Sequence, residues 1–234
     1  MVAIASSLSD VMSEVRTEFI AENPEIEIVF NTASSGILAQ QIEQNAPIDI
    51  FASADLSLIE DLIDHQKITP KSSRIFAQNT LVLASSLNSE LKLGSLDDLL
   101  DRQVSRIALG NPNLVPAGNY AKVALGRSPT EENLYRTLEQ DRKLVFAENV
   151  RQVLAYLEAQ AVDVGFIYKT DLRQTYDVQE VLSLSSEKTG EISYAIAPVS
   201  HNQTKNIAKQ FIDFILSEKG QEIISDYGFL KAMD

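Results

Sequence analysis

The sequence predicts an α/β protein of two lobes, each a mixed, mainly parallel sheet flanked by helices. Two observations carry this. Short β-branched, apolar runs alternate with amphipathic helical stretches before about residue 80, and the alternation resumes from about 107 to 168. The 234 residues, 44% hydrophobic, suffice for one large domain or two lobes, and the repeated alternation favours two.

Val2 to Ala5 reads as the first strand, and a helix follows to about Glu22 with Leu8, Met12, Val15, Phe19 and Ile20 on one face. Asn23-Pro24 stops it. The alternation of Ile26-Glu27-Ile28-Val29-Phe30 gives a strand over 26–31, and a helix spans about 36 to 45. Pro47 to Ala52 is a third strand and Ala54 to His65 a third helix. Arg74 onward reads as a break before a strand at Leu81-Val82-Leu83-Ala84. A short helix at Leu96–Leu100 precedes a strand at Ile107-Ala108-Leu109. The turn-rich run from Asn111 to Gly118 leads to a helix over about Tyr120–Leu125, and Glu131–Glu139 is helical. Lys143–Phe146 is a strand, followed by a helix from near Asn149 that carries Val150, Val153, Leu154 and Leu157. Strands follow at Val162–Tyr168, Val178–Leu184 and Ile192–Val199. Helices over Thr204–Leu216 and Lys219–Tyr227 close the chain. The expected lobes are 1–80 plus 197–234, and 81–196, joined by two crossing strands acting as a hinge.

Composition removes several functions. A net charge of −13 leaves no basic stretch to track phosphates, so nucleic acid and anionic membrane surfaces are not expected partners. With no cysteine there is no disulfide framework, thiolate metal site or cysteine nucleophile. No run approaches the roughly 20 apolar residues of a membrane span. Met1-Val2-Ala3-Ile4-Ala5 is too short for a signal peptide.

The most informative stretch is Ala33-Ser34-Ser35-Gly36, where a strand gives way to a helix. Unpaired N–H groups and the positive end of the helix dipole can hold an anion there without a charged side chain. By itself the pattern fits an ordinary serine N-cap better, because caps greatly outnumber ligand sites.

Other segments add to it. Ala5-Ser6-Ser7-Leu8-Ser9-Asp10, Asp49 to Asp55, Gly110-Asn111-Pro112 through Val115-Pro116-Ala117-Gly118-Asn119-Tyr120-Ala121, Glu148-Asn149-Val150-Arg151, Gly165-Phe166-Ile167-Tyr168 and Tyr227-Gly228-Phe229 stand in one order. Together with the serine turn, they resemble the periplasmic molybdate-binding proteins almost from end to end. The resemblance implies a type II solute-binding fold that captures molybdate or tungstate and delivers it to the membrane permease of an ABC transporter. It implies a periplasmic or extracytoplasmic monomer whose leader is missing from this sequence, and neither catalysis nor a cofactor. It also implies five oxyanion contacts. Ser7 and Ser35 would donate hydroxyls and backbone N–H groups, Ala117 and Val150 backbone N–H alone, and Tyr168 its phenol. Metal would enter only as the oxyanion itself. Ser7 is taken over Ser6 because it immediately precedes Leu8, and Ser35 is taken over its neighbour Ser34. N-capping remains the alternative for these serines, as do a wet strand-end hydroxyl for Tyr168, a plain turn for Ala117 and a core position for Val150.

The residue types suit this chemistry. Molybdate, fully ionised at neutral pH, accepts hydrogen bonds and donates none, and the proposed contacts offer neutral donors only. Hydrogen phosphate brings an O–H that would be left unmatched, at about 1–3 kcal/mol. Sulfate satisfies the same donors and differs mainly in size. Glu148 is the one nearby carboxylate that could complete a higher coordination.

Two other classes compete. A serine hydrolase would need a G-x-S-x-G elbow or a base, and His65 and His201 stand at a helix end and in a polar loop. Asp49 and Asp55 suit capping better than paired carboxylate chemistry. A ligand-sensing regulator would carry DNA-binding helices, for which a first strand at residue 2 leaves no expected room.

Overall fold

The computed structural model describes residues 1–127, 133–200 and 205–232. They form two compact units, Met1–Asn79 with Ser193–Asp234, and Thr80–Ile192. The chain passes from the first unit to the second at 79/80 and returns at 192/193.

The first unit opens with β1 (Val2–Ala5), one 3-10 turn (Ser6–Leu8) and α1 (Ser9–Glu22). It continues through β2 (Phe30–Ala33), α2 (Ser35–Glu43), β3 (Ile50–Ser53), α3 (Leu56–Asp64) and β4 (Arg74–Asn79). The second unit contains β5 (Leu81–Ser86), a 3-10 turn at Leu96–Leu100, β6 (Ile107–Gly110), α4 (Pro116–Gly126) and α5 (Leu134–Gln140). Then come β7 (Leu144–Ala147), α6 (Val150–Glu158), β8 (Val164–Tyr168), a 3-10 segment (Lys169–Gln174), β9 (Val178–Ser183) and α7 (Ser186–Thr189). Returning to the first unit, β10 (Ile192–Pro198), α8 (Lys205–Leu216) and α9 (Glu218–Asp226) complete the chain.

Each unit has one five-stranded sheet, ordered β2-β1-β3-β10-β4 in the first and β7-β6-β8-β5-β9 in the second. In each, three parallel strands are followed by an antiparallel one: β10 against β3, and β5 against β8. The central parallel strand, β1 or β6, sends the chain first to one side and then to the other. That is the topological switch point at whose carboxyl end open α/β sheets bind ligands.

The cores follow the apolar pattern of the sequence. In the first unit, Leu38, Ile42, Phe51, Ile59, Leu62, Ile68 and Val199 pack as one buried cluster. In the second, α6 buries Val150, Val153, Leu154 and Leu157. A Cβ on Gly165 of β8 would come within 2.8 Å of Val153 Cγ1, so the missing side chain lets α6 lie close on the sheet.

Several boundaries differ from the sequence reading. The strand expected over 26–31 is laddered only from Phe30, because parallel pairing with β1 begins at Val2↔Phe30. Ile26 and Ile28 are nonetheless buried and Glu27 and Val29 exposed, so the alternation reports burial rather than pairing. The expected break at Arg74 is β4, an edge strand. The helix expected from Tyr120 starts at Pro116, since proline at the first helical position forfeits no intrahelical bond. Of the expected helix over Glu131–Glu139, residues 131–132 lie outside the described residues, as do Thr204 and His201.

Candidate functional site

In the first unit, Ser7 and Ser35 stand at the carboxyl ends of adjacent parallel strands. Ala5 ends β1, Ala33 ends β2, and the two are register partners. Ser6 and Ser7 occupy the 3-10 turn that runs directly into α1, and no side chain caps that start. Ser34 is the N-cap of α2 in extended conformation, and its side chain makes no capping bond. Its Oγ is buried without a hydrogen-bond partner among the described residues. Ser35, fully buried, accepts the Ala54 N–H at 3.1 Å, which leaves its own hydrogen to donate elsewhere. Ser7 Oγ lies 3.0 Å from the Tyr194 hydroxyl.

In the second unit, Ala117 and Val150 follow the ends of β6 and β7, and Tyr168 is the last residue of the neighbouring parallel strand β8. Gly110 ends β6 and is in register with Ala147, the end of β7. β8 pairs with β6 from Ile107↔Val164 and ends at Tyr168. Ala117 is the second residue of α4, not part of a plain turn, so its N–H belongs to a first turn that has no intrahelical acceptor. Two glycines bring that turn against the sheet. A Cβ on Gly118 would lie 1.9 Å from the Gly110 carbonyl oxygen, and one on Gly110 would lie 2.3 Å from Val115 Cγ1. Val150 opens α6. Asn149 accepts from the Gln152 N–H at 3.0 Å, while Gln152 Oε1 accepts from the Glu148 N–H at 2.7 Å. This reciprocal cap serves the N–H groups of Gln152 and Glu148, and not that of Val150. Tyr168 is buried, and its backbone N–H donates to Asp171 Oδ2 at 2.9 Å.

The helix starts show a pattern. Among described N-termini of helices nine residues or longer, α3, α6 and α9 are capped by Asp55, Asn149 and Ser217. α1, α2 and α4 have no side-chain cap. Ser35 and Ala117 lie in the first turns of α2 and α4, and Ser7 lies in the uncapped 3-10 turn before α1, whose first N–H donates to the Ser6 carbonyl. A helix start without an internal acceptor offers N–H groups and a positive dipole end to an external anion.

Other polar groups are accounted for. Arg151 Nε approaches Asp171 Oδ1 at 3.3 Å, and Asp171 is fully buried. The pair therefore links the start of α6 to the end of β8 through charges that offset each other. Sequence reasoning missed this pair, and it also missed Tyr194. An arginine and an aspartate 20 positions apart carry no spacing signal, and a tyrosine inside an apolar strand reads as core. Glu148 is exposed. Asp55 caps α3, and Asp49 meets the Met1 amine. His65 bonds Glu43 at the surface. Groups of three or more metal-ligating side chains are absent among the described residues, and no described helix is long and apolar enough to cross a membrane. A groove of about 350 Å³ lined by Thr69, Arg74, Val199, Lys209, Ile212 and Leu216 lies past the end of β10, whose Pro198 is in register with the first residue of β3. It is thus at the opposite end of the strands from the serines.

Residues 1–230 match the family described as bacterial extracellular solute-binding protein. The chain belongs to that family. Solute-binding proteins of this family are non-enzymatic, which sets aside the serine-hydrolase alternative. This one is 32% identical over 228 residues to the Bacillus subtilis lipoprotein YvgL, itself provisionally assigned as an ABC transporter substrate-binding protein; the match covers 97% of this chain and 85% of the relative. It is 31% identical over 229 residues to the Escherichia coli molybdate-binding protein ModA, covering 96% and 86% of the two chains. Among solved structures, the Azotobacter vinelandii periplasmic molybdate-binding protein superposes with a TM-score of 0.86 over 99% of both chains, at 23% identity. The sulfate-binding protein SubI of Mycobacterium tuberculosis superposes at 0.82 over 99% of this chain and 85% of its own, at 15% identity. At such identities the likeness fixes the fold, which is that of the type II periplasmic binding proteins.

Proposed function

We propose that this solute-binding protein captures molybdate, and tungstate with it, for delivery to the membrane permease of an ABC transporter. The observation that carries the reading is that Ser35 and Ala117 lie in the uncapped first turns of α2 and α4, and Ser7 in the uncapped 3-10 turn that leads into α1. Relatives named as molybdate-binding proteins at 28% and 31% identity support it. In this reading Ser7 and Ser35 from the first unit, and Ala117, Val150 and Tyr168 from the second, donate to one tetrahedral dianion. The expected units are then lobes joined at the two chain crossings, and the protein works as a monomer outside the cytoplasm.

Neutral donors set the selectivity. Hydrogen bonds to a charged acceptor contribute about 1.5–3 kcal/mol each, so several can offset the cost of removing a dianion from water. Molybdate and tungstate have nearly the same size and charge, so identical donors serve both. Hydrogen phosphate is disfavoured by its own proton, and sulfate by its smaller size.

Thermal melting with each of the four anions tests the reading. Molybdate or tungstate at 1,000 times its dissociation constant adds roughly 4 kcal/mol of stability. Stabilisation by sulfate or phosphate without a response to molybdate would replace this assignment with another oxyanion.

A further inference from the structure

We infer that the Ser34 hydroxyl is a further contact to the bound oxyanion, beside the one assigned to Ser35. This deepens the molybdate reading and rests on it.

Ser34 is 3% exposed, and its Oγ has no hydrogen-bond partner among the described residues. Buried hydroxyls are nearly always paired, because leaving one unpaired costs free energy, so this one calls for a reason. The ordinary local reason fails. Ser34 is the N-cap of α2, and its carbonyl accepts the Leu38 N–H at 3.1 Å as a cap residue's should. Its side chain, however, takes none of the first-turn N–H groups that a capping serine usually serves. Ser35 differs, since its Oγ already accepts the Ala54 N–H at 3.1 Å and so has a structural duty without any ligand.

The fold sets this hydroxyl at the ion-binding end of the sheet. Ala33 closes β2 in register with Ala5, so one step further brings Ser34 level with Ser6, where the uncapped 3-10 turn begins. Ser34 keeps extended angles, φ −67° and ψ 148°, and the strand alternation therefore carries through it. Ala33 packs against the cluster that contains Leu38, Ile42 and Ile59, so Ser34 turns to the other face. That face belongs to α1, because the crossovers through α1 and α2 run in opposite directions from β2 and β1 and so cover opposite sides. Thr32, two residues earlier on the same face, is exposed, and cover arrives only at the level of the Ser6–Leu8 turn. Ser34 thus stands between two uncapped starts, that of its own helix and the turn that holds Ser7.

A hydroxyl in that place has a hydrogen to give, and a tetrahedral dianion presents more lone pairs than the other contacts use. The group is unsatisfied in the empty protein and satisfied in the loaded one, so its contribution appears in binding and not in folding.

Calorimetric titration of the full chain with molybdate, paired with thermal melts in its absence, tests this on Ser34→Ala and Ser34→Thr. Ser34→Ala is expected to weaken molybdate about tenfold, while the melting temperature of the empty protein holds or rises because an unpartnered hydroxyl has gone. Ser34→Thr keeps a hydroxyl and is expected to stay within about threefold of the parent. Full affinity in Ser34→Ala beside an intact parent would overturn the contact and leave the molybdate reading in place. A lower melting temperature for empty Ser34→Ala would also overturn it, since the hydroxyl would then be serving the fold. A threonine variant as weak as the alanine one would assign the effect to packing and count against the contact. Absence of molybdate binding in the unmodified chain would overturn the reading and the contact together.

Discussion

Tyr168 and Ser35 make unequal tests of the proposed contacts. Tyr168→Phe deletes one hydroxyl and keeps the buried ring, so its effect falls on the ion. Molybdate affinity should drop by about 1–3 kcal/mol with the melting temperature of the empty protein nearly unchanged. Ser35→Ala deletes a donor and also the acceptor of the buried Ala54 N–H. It should therefore weaken binding by a similar amount and lower the stability of the empty protein by about 1 kcal/mol as well. Calorimetry with parallel melts separates the two effects, and full affinity in either variant would remove that residue from the contact set. The serines were legible because strand-to-helix junctions advertise themselves in sequence. The partner of Ser7 was not. Tyr194 comes from a strand 187 positions away from Ser7, and nothing local marks it. Ala117 and Val150 were legible only through family likeness, since a backbone N–H leaves no trace in residue type.

Among the elements, α4 shows where local reading fails. The run Pro116-Ala117-Gly118 looks like a breaker, because both Pro and Gly usually end helices. Here proline fits the first helical position and glycine is required by the approach of Gly110, so tertiary packing overrides propensity. β4 was hidden similarly: its first two residues are exposed, as suits an edge strand, so it lacked the buried apolar run that marked its neighbour β5. Gly118→Ala should cost about 1–3 kcal/mol of stability and weaken molybdate binding, since α4 must lift away from β6 and carry the Ala117 N–H with it. Gly126→Ala on the same helix meets nothing within 4 Å and should leave both quantities nearly unchanged, so equal behaviour of the two variants would contradict this role. A second contact joins α9 to α1. Lys219 donates to Glu18 and Glu22, each at 2.8 Å, and these bonds push its ammonium up to about 12 from an ordinary 10.5. A raised value means that the contribution is complete below pH 10.5 and fades as pH climbs through about 12. The melting temperature of Lys219→Met should thus lie slightly below that of the parent at neutral pH and converge with it over that window. A constant gap would show that the difference comes from packing of the lysine stem.

For the molecule as a whole, charge poses the sharpest question. A chain of net charge −13 is proposed to bind a doubly negative ion through uncharged groups. Arg151, the cation next to Val150, is matched by the buried Asp171, so its field is largely offset nearby. The attraction in this reading comes from dipoles acting at contact distance, where dissolved salt has no room to screen. The repulsion comes from carboxylates spread over the surface, where salt screens well. The Debye length shrinks from about 30 Å at 0.01 M to about 8 Å at 0.15 M ionic strength, which removes much of the long-range term and little of the short-range one. Molybdate affinity should therefore hold steady or rise modestly as sodium chloride is raised across that range, with any gain appearing in the association rate. A site that drew the ion in with unpaired lysines or arginines would respond in the opposite sense. Titrations at fixed pH across the salt series distinguish the two, and a steep loss of affinity with salt would mean that cationic side chains, rather than helix starts and hydroxyls, hold the ion.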